Sequence, residues 1–451
     1  MSRGERGGPP PARRLALAVL DRVLPAPGGK GPHRPGAGQD VQAALDAALA
    51  APGIDPRDRG LATELVYGYL RLRGRLEYIV SRFLKNPDAV PAPVGRILSL
   101  AVYEILHCSK VPAYASVDWA VTAVRKRGGK GLSGMANAVL RRIAAAPGQF
   151  ADPSFYRAGR ADDLEFLSRL YACPPWIVAM WLRDFGREEA EAYLAMQTEP
   201  APLGLRVNRT LPGARELFDA LAALPETRYA DFPTLAMPAG IDLSPAGVDL
   251  GEALADGRLS RQSAAAQAVL ARLYPEDWPE PVFDACAGRG GKTLALAEAG
   301  KHVFAGDMHA TKLAGLDRER SRLHLPPIAA FRASATRMPL RQPPGTILLD
   351  APCSGLGVLA RRPDAKWRRQ PEDISGLIRL QRAMLEAAYA RLAPGGRLVY
   401  VTCTLNPAEN EQAVDRLGAR HRELVLEIEA PVAPDPALGE CFYGAVLKKP
   451  D

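Results

Sequence analysis

The sequence predicts a multidomain protein with an all-α amino-terminal domain, a small α/β connector and a doubly wound, Rossmann-like α/β domain at the carboxyl end. Apolar residues recur at helical spacing up to about residue 148, which indicates amphipathic helices. From about residue 262, short apolar runs alternate with helical segments, which indicates a parallel sheet covered by helices. A chain of 451 residues is long enough for two to three domains.

The helical region, predicted as a domain over 1–150, contains several amphipathic segments. They are LALAVLDRVL, VQAALDAALA, LATELVYGYLRLRGRLEYIVSRFL, ILSLAVYEIL, a helix opening at Ser116, and KGLSGMANAVLRRI. The Gly/Pro-rich residues 26–39 separate the first two helices and predict a loop.

The connector, predicted over 165–260, mixes both kinds of structure. PPWIVAMWLRDF, REEAEAYLAMQ and ARELFDALAAL have helical periodicity, whereas LGLRVNR alternates like a strand.

The third domain, predicted over 261–451, consists of alternating strands and helices. The strands are VFDAC, HVFAG, IAAFRA, TILLDA and RLVYVTC. The helices are TLALAEAG, residues 312–322, residues 374–392 and a run after Asn406. Ligands of such sheets bind beyond the carboxyl ends of the strands, so the residues that follow these strands are the candidate site.

Composition narrows the possible partners but does not identify one. The net charge of +8 suits a nucleic-acid partner but equally suits a mildly basic enzyme. The six cysteines form no CxxC pair, so we expect no metal. The apolar run at residues 15–20 is too short for a membrane span, and Asp21-Arg22 end it without the small-residue cleavage site of a signal peptide. We therefore expect a cytoplasmic monomer that does not bind membranes.

A glycine-rich loop follows the first strand of the third domain. Gly288, Gly290 and Gly291 lie in AGRGGKT, just before a helix. A Walker A loop would need glycine at Cys286, and a dinucleotide fingerprint would need glycine at Thr293, so neither motif is present. A glycine-rich cofactor loop remains, with an ordinary turn as the alternative.

Three more residues are predicted at the same edge of the sheet. Asp307 ends the second strand 19 residues after Gly288, an interval that suits a carboxylate on a ribose diol. Asp350 and Cys403 end the fourth and fifth strands, and Cys353 follows Asp350 closely. A solvated aspartate and inert buried thiols are the alternative interpretation.

The motifs DACAGRGGKT, ILLDAPCSGLGVLARRPDAKW and GGRLVYVTCTLNPAENE resemble those of the RNA 5-methylcytosine methyltransferases. The resemblance covers nearly the whole chain and extends to the members that methylate bacterial 16S ribosomal RNA. The helical region resembles their NusB-like RNA-binding domain, and the segment with LRVNR resembles their linker.

The resemblance implies an S-adenosyl-L-methionine-dependent enzyme that acts on RNA, with ribosomal RNA as the expected partner. It makes Cys403 the nucleophile that adds to carbon 6 of cytosine, and it makes Cys353 the residue that assists release. Asp350 would read the edge of the base. Thiol addition suits this chemistry because carbon 5 of cytosine becomes nucleophilic only after carbon 6 is attacked.

Cofactor contacts are implied in the same way. The methionine and ribose side would be lined by Cys286, Ala287, Gly288, Arg289, Gly290, Gly291 and Lys292. Asp307 would hold the ribose hydroxyls, and Asp350 would also border the cofactor. The chain departs from the family at two points. Gly288-Arg289 replace the usual Ala-Pro, and Ser334 replaces an aspartate near the adenine.

The segments that follow Cys353 and Cys403 have motifs of their own. Arg361, Arg362, Lys366 and Trp367 combine charge with one aromatic ring, as an RNA-binding strand does, although a solvated loop is the alternative. In NPAENE, the sequence predicts a helix start in which Asn406 caps, Pro407 fills the first turn and Glu409 completes a capping box.

Two other functions remain open from the sequence. One is a DNA cytosine methyltransferase, a class that uses the Pro-Cys thiol as nucleophile and lacks the Thr-Cys partner. The other is a non-catalytic RNA-binding or antitermination factor whose activity resides in the helical domain. The presence of both Cys353 and Cys403 argues against each of them.

Overall fold

The computed structural model describes residues 11–24, 40–157, 159 and 162–451. The loop predicted at 26–39 lies outside the described residues. The chain divides into two compact units. The first contains the described residues up to Glu199 together with Arg362–Arg369, and the second contains Pro200–Arg361 and Gln370–Asp451.

Helices and strands are numbered in chain order. The helices are α1 (Pro11–Val23), α2 (Val41–Leu49), α3 (Pro56–Arg82), α4 (Ala92–His107), α5 (Ala113–Ala145), α6 (Asp163–Leu170), α7 (Pro175–Met196), α8 (Ala214–Ala222), α9 (Leu250–Ala255), α10 (Ala264–Ala271), α11 (Gly291–Glu298), α12 (Ala310–Arg322), α13 (Ala365–Arg368), α14 (Pro371–Arg391) and α15 (Glu411–Arg420). The strands are β1 (Leu203–Val207), β2 (Tyr229–Asp231), β3 (Thr234–Met237), β4 (Leu259–Arg261), β5 (Val282–Asp284), β6 (Val303–Asp307), β7 (Ala330–Arg332), β8 (Thr346–Asp350), β9 (Arg397–Thr402), β10 (Val425–Glu429) and β11 (Tyr443–Lys448).

The first unit is helical, as predicted. Helix α5 begins at Ala113, three residues before the predicted start, because the Ser116 hydroxyl donates to the buried Glu104 carboxylate at 2.7 Å instead of capping. Gly129 interrupts α5 with a φ of +78°, and Gly186 interrupts α7 with a φ of +76°. Glycine adopts this left-handed backbone at little cost, and each break divides its helix into the two segments that the sequence predicts. Among the described residues, we find no helix with the length and apolar character of a membrane span.

The second unit contains a small antiparallel sheet in the order β2-β3-β1-β4. The predicted strand LGLRVNR is β1, and ARELFDALAAL is α8. The other three strands are three or four residues long and were not predicted, because so short a run carries little periodicity.

The larger sheet has the order β10-β11-β9-β8-β5-β6-β7. Its five parallel strands, β5 to β9, are the five predicted ones. Strands β10 and β11 were missed: β11 runs antiparallel between β9 and β10 and completes the sheet. β5 pairs with both β6 and β8, so the order of the chain reverses at β5 and opens a crevice there.

Helices cover both faces of this sheet. Along β9, Leu398 and Tyr400 lie in one apolar core, whereas Val399 and Val401 lie in another. Successive side chains of a strand point to opposite faces, so a strand buried on both sides has a continuous apolar sequence. This packing leaves the carboxyl ends of the strands as the polar edge of the unit.

Candidate functional site

The glycine-rich loop connects β5 to α11 at the crevice. Gly288 and Gly290 have φ values of +58° and +90°. A β-carbon at Gly290 would lie 2.8 Å from the Cγ atom of Leu316, so a side chain is excluded there by contact as well as by conformation. Arg289, between these glycines, is exposed. The loop therefore turns tightly with its backbone accessible, as the sequence predicts.

Asp307 ends β6 beside this loop. Its Oδ2 atom accepts a hydrogen bond from the backbone N–H of Gly288 at 3.0 Å, and its Oδ1 atom accepts one from His309 at 2.8 Å. Gly288 and Asp307, which the 19-residue interval predicts at one edge of the sheet, are therefore in direct contact. Each oxygen has a further lone pair with which to accept from a ligand hydroxyl.

Ser334 follows β7 and is partly engaged in a local turn. Its Oγ atom lies 2.8 Å from the Oγ1 atom of Thr336 and accepts from the backbone N–H of Thr336 at 3.3 Å. Its contact with an adenine stays a prediction.

Two buried residues, Asp284 and Thr293, and the partly buried Cys286 lie at the base of the glycine-rich loop. Asp284, which the sequence analysis did not single out, accepts from the Thr293 hydroxyl at 2.6 Å. Burial raises the pKa of Asp284 to about 6. Burial and the nearby carboxylates, that of Asp284 first, raise the pKa of Cys286, so this thiol stays protonated at neutral pH.

Lys292 points from the loop to the end of β8. Its Nζ atom lies 2.6 Å from the Oδ2 atom of Asp350 and 5.6 Å from the centre of the Phe442 ring. Burial acts to lower the pKa of Lys292. The Asp350 carboxylate outweighs it, with a smaller effect of the Cys403 thiolate, and the pKa is raised. Lys292 is therefore a buried cation that faces both Asp350 and the Cys403 side of the site.

The two strand-end cysteines lie together, because β8 and β9 are parallel neighbours. Their Sγ atoms are 3.2 Å apart, and the backbone N–H of Cys403 donates to the Cys353 sulfur at 3.3 Å. The hydrogen bond with Cys403, burial, and the charges of Cys403 and Glu409 raise the pKa of Cys353 well above the ordinary value. At neutral pH, Cys353 is thus the thiol of the pair.

The connector braces the glycine-rich loop through Arg206 of β1, which lies in LRVNR. Arg206 is 3% exposed, and its guanidinium donates two hydrogen bonds to Glu298, at 3.0 and 2.7 Å. It also donates to the carbonyl of Gly291 at 3.2 Å and to the side chain of Gln262. Arg206 was not predicted as part of the site, although an arginine in an otherwise apolar strand indicates a buried charge with a partner.

The expectation that the segment after Cys353 presents a basic face to RNA is wrong for Lys366, which is buried, and stays a prediction for Arg361, Arg362 and Trp367. Lys366 is 1% exposed and donates to the carbonyl of Arg71 at 2.8 Å. Trp367 donates to the carbonyl of Leu70 at 2.6 Å, and Arg361 forms a bidentate pair with Glu440. Only Arg362 is exposed.

The expected helix start in NPAENE is also wrong. Helix α15 begins at Glu411, and residues 407–410 form a turn before it. Glu409 is completely buried and accepts from the backbone N–H of Ser354 at 2.9 Å. It therefore supports the loop of Cys353 instead of capping a helix.

No metal site accompanies this arrangement in the ranges that the structure describes, where no three histidine, cysteine, aspartate or glutamate side chains are grouped to hold an ion. None of the six cysteines forms a disulfide. The site thus combines a glycine-rich loop, the Asp307 carboxylate beside it, the Lys292–Asp350 pair and two adjacent cysteine sulfurs.

Comparisons with known proteins identify relatives of both parts of the chain. Residues 270–437 match the family model described as 16S rRNA methyltransferase RsmB/F, and residues 10–145 match the NusB family. The chain is 34% identical over 423 residues to a probable ribosomal RNA small subunit methyltransferase B of Synechocystis, covering 91% of this chain and 90% of that protein. It is 33% identical to ribosomal RNA small subunit methyltransferase B of Vibrio cholerae, covering 91% and 94%.

Solved structures share the fold. The crystal structure of PH0851 superposes with a TM-score of 0.70 at 20% identity, covering 99% of this chain and all of that one. NSun6 from Pyrococcus horikoshii, solved with SFG, superposes with a TM-score of 0.52 at 22% identity, covering 62% of this chain and all of that one.

Proposed function

Because the chain belongs to the RsmB/F family of 16S rRNA methyltransferases and carries a NusB-family domain, we propose that it methylates carbon 5 of a cytosine in 16S ribosomal RNA, with S-adenosylmethionine as methyl donor. The single observation that carries this proposal is the pair of thiols 3.2 Å apart at the ends of β8 and β9. In this proposal, residues 1–150 bind RNA, 165–260 form the connector and 261–451 form the catalytic domain.

The residues at the crevice suit the cofactor. The left-handed glycines leave backbone accessible at the start of α11, and Asp307 has lone pairs to accept from a ribose diol. When bound, the cofactor supplies a methyl group on a positively charged sulfur. The loop from Cys286 to Lys292, with Asp307 and Ser334, would hold and orient it, and Asp350 would border it.

Cys403 is assigned as the nucleophile. Its thiolate adds to carbon 6 of the cytosine, and the ring electrons that this displaces make carbon 5 reactive toward the methyl group. Once carbon 5 carries the methyl group it loses its proton to water, and the electrons of that C–H bond restore the double bond to carbon 6. The bond from carbon 6 to sulfur breaks and its electron pair returns to Cys403, while the Cys353 thiol, 3.2 Å away, can donate a hydrogen bond to the departing sulfur. The positive charge of Lys292 faces the Cys403 side of the site, whereas the raised pKa of Cys353 keeps that residue a thiol.

Asp350 is assigned to the base. A carboxylate accepts hydrogen bonds from the exocyclic amine of cytosine and from a protonated ring nitrogen. Lys292 donates to this carboxylate at 2.6 Å and so fixes its position at the end of β8. The pair therefore places a hydrogen-bond acceptor next to the nucleophile.

Release of tritium from carbon 5 tests this proposal directly, because methylation there must displace the hydrogen. The protein is incubated with S-adenosylmethionine and 16S ribosomal RNA labelled with tritium at carbon 5 of cytosine. We expect release that depends on the cofactor. RNA labelled at carbon 5 of uracil is the matched control and should release none.

Other outcomes would favour the alternatives. Release from DNA of the same sequence, and not from RNA, would indicate a DNA methyltransferase. RNA binding without any release would indicate a non-catalytic RNA-binding factor. Methylation of the RNA without tritium release would exclude carbon 5 as the acceptor.

A further inference from the structure

A completely buried carboxylate lies behind the two cysteines. The Oε1 atom of Glu409 accepts from the Ser354 backbone N–H at 2.9 Å and from the Gln381 amide at 3.0 Å. Its Oε2 atom accepts from the Ser354 hydroxyl at 2.5 Å and from the Asn406 amide at 3.0 Å. Four donors and no acceptor are the pattern of an ionised carboxylate, and none of these donors carries a positive charge.

This network joins the loops that carry the two thiols. Ser354 directly follows Cys353, and Thr404 directly follows Cys403. The Ser354 hydroxyl has one proton, which goes to Glu409, so the Thr404 hydroxyl 2.5 Å away must donate to Ser354. Gln381 also donates to the carbonyl of Pro352 at 2.9 Å. Glu409 therefore fixes the Cys353 loop on both sides of the thiol.

The charges near the two sulfurs are of opposite sign. Glu409 acts on Cys353, which also faces the sulfur of Cys403 and the buried phenol of Tyr400. Lys292 acts on Cys403. A negative charge disfavours a neighbouring thiolate and a positive charge stabilises one, so the proton shared by the two sulfurs is held by Cys353.

We propose that Glu409 is the positioning residue that makes Cys403, and not Cys353, the nucleophile. It clamps the Cys353 loop through Ser354, and its negative charge leaves the shared proton on Cys353. The proposal rests on the proposed function, because Cys403 acts as a nucleophile only in that reaction. The arrangement that it describes is a property of the free protein and can be measured without RNA or cofactor.

Alkylation of the cysteines tests the charge effect. In the full chain carrying Cys403→Ser, the rate at which iodoacetamide modifies Cys353 is followed by mass spectrometry as a function of pH. Adding Glu409→Gln removes the charge and should lower the pH midpoint of this reaction by about one unit or more. Adding Glu409→Asp keeps the charge and should lower it much less.

Glu411→Gln is the matched control, because Glu411 is a partly buried carboxylate in the same segment, and the charges that act on it are those of Glu429 and Asp415. It should leave the Cys353 midpoint unchanged. A Glu409→Gln midpoint equal to that of the Cys403→Ser parent would overturn the proposal, even if the protein methylates RNA. If Glu409→Gln shifts the Cys353 midpoint but the wild-type protein does not methylate RNA, the result counts against the proposed function alone.

Ser354→Ala tests the clamp separately and covers the case in which Glu409→Gln does not fold. It removes one donor to Glu409 and the link to Thr404 but retains the charge. With both cysteines present, we expect diamide, which takes up the two thiol hydrogens, to form the Cys353–Cys403 disulfide several-fold more slowly in Ser354→Ala than in wild type. An unchanged rate in a folded Ser354→Ala protein would contradict the clamp.

Discussion

The Nζ atom of Lys292 lies 2.6 Å from the Oδ2 atom of Asp350, and this pair joins the glycine-rich loop to the end of β8. Lys292 thus faces the proposed base-binding side of the crevice, although its position in the loop predicts a cofactor contact. A buried charge that loses its partner is destabilised by several kcal/mol, so the pair is a sensitive place to test the site.

Replacing Lys292 by methionine should separate these two roles. Asp350 would lose its countercharge and Cys403 its stabilising cation, so we expect kcat for RNA methylation to fall by about 100-fold, or roughly 3 kcal/mol. Cofactor affinity, measured by calorimetry, should fall far less. Lys301→Met is the control, because Lys301 donates to the carbonyls of Glu276 and Trp278 outside the site. Lost cofactor affinity with unchanged kcat would show that Lys292 serves the cofactor instead.

Arg206 gives the connector a testable role. Its guanidinium fixes the carbonyl of Gly291 and pairs with Glu298. The double substitution Arg206→Met with Glu298→Gln removes the bracing without leaving an unpaired buried charge. We expect it to weaken binding of S-adenosylmethionine about 10-fold while kcat at saturating cofactor changes little.

Asp307→Ala provides the reference for this experiment, because it removes the proposed ribose contact itself and should weaken binding more strongly. Arg215→Met, which disrupts an exposed pair with Asp219, should have no effect on cofactor affinity. Unchanged cofactor affinity in the Arg206/Glu298 double variant would limit the connector to a packing role.

Lys366 should affect stability and not RNA binding. Burial lowers its pKa to about 7, whereas an unfolded chain has a lysine pKa of about 10.4. Between these values the unfolded state binds more protons, so this lysine makes stability rise with pH, by up to about 4 kcal/mol from pH 7 to pH 10. Lys366→Met should remove that rise, as measured by urea unfolding at each pH.

The exposed residue Lys85 supplies the comparison. Lys85→Met should leave the pH dependence of stability as in wild type. RNA affinity and its salt dependence should be the same in Lys366→Met as in wild type, since a buried ammonium releases no counterions from RNA. If RNA affinity depends less steeply on salt concentration in Lys366→Met than in wild type, Lys366 contacts RNA and this prediction is wrong.

The sequence predicts those parts of the site that follow from local pattern. Parallel strands end at one edge, so Asp307, Asp350 and Cys403 could be placed together from the strand pattern alone. The contacts that tune the site are long-range. Glu409 meets Ser354 across 55 residues, and Lys366 meets the carbonyl of Arg71 across 295. Periodicity describes one element at a time and gives no information about such pairs.

The same reason explains the errors. NPAENE has the residues of a capping box, but tertiary hydrogen bonds to the Cys353 loop take up the Glu409 side chain. Basic residues beside an active site suggest RNA binding. Here, however, Arg361 pairs with Glu440, and Lys366 donates to a backbone carbonyl. Strand β11 was missed although its sequence is a mostly apolar, buried run of the kind that predicts a strand covered on both faces.

The central claim is that Cys403 attacks the base and Cys353 assists release. It is tested most directly by incubating wild type, Cys353→Ala and Cys403→Ala with labelled RNA and S-adenosylmethionine, and separating the products on a denaturing gel. Addition to carbon 6 needs only the Cys403 sulfur, whereas release needs that sulfur to leave carbon 6, a step in which the neighbouring Cys353 thiol can donate a hydrogen bond to it. We therefore expect Cys353→Ala to accumulate a covalent protein–RNA adduct, and Cys403→Ala to form neither adduct nor methylated RNA. An adduct in Cys403→Ala and none in Cys353→Ala would contradict the assignment and make Cys353 the nucleophile.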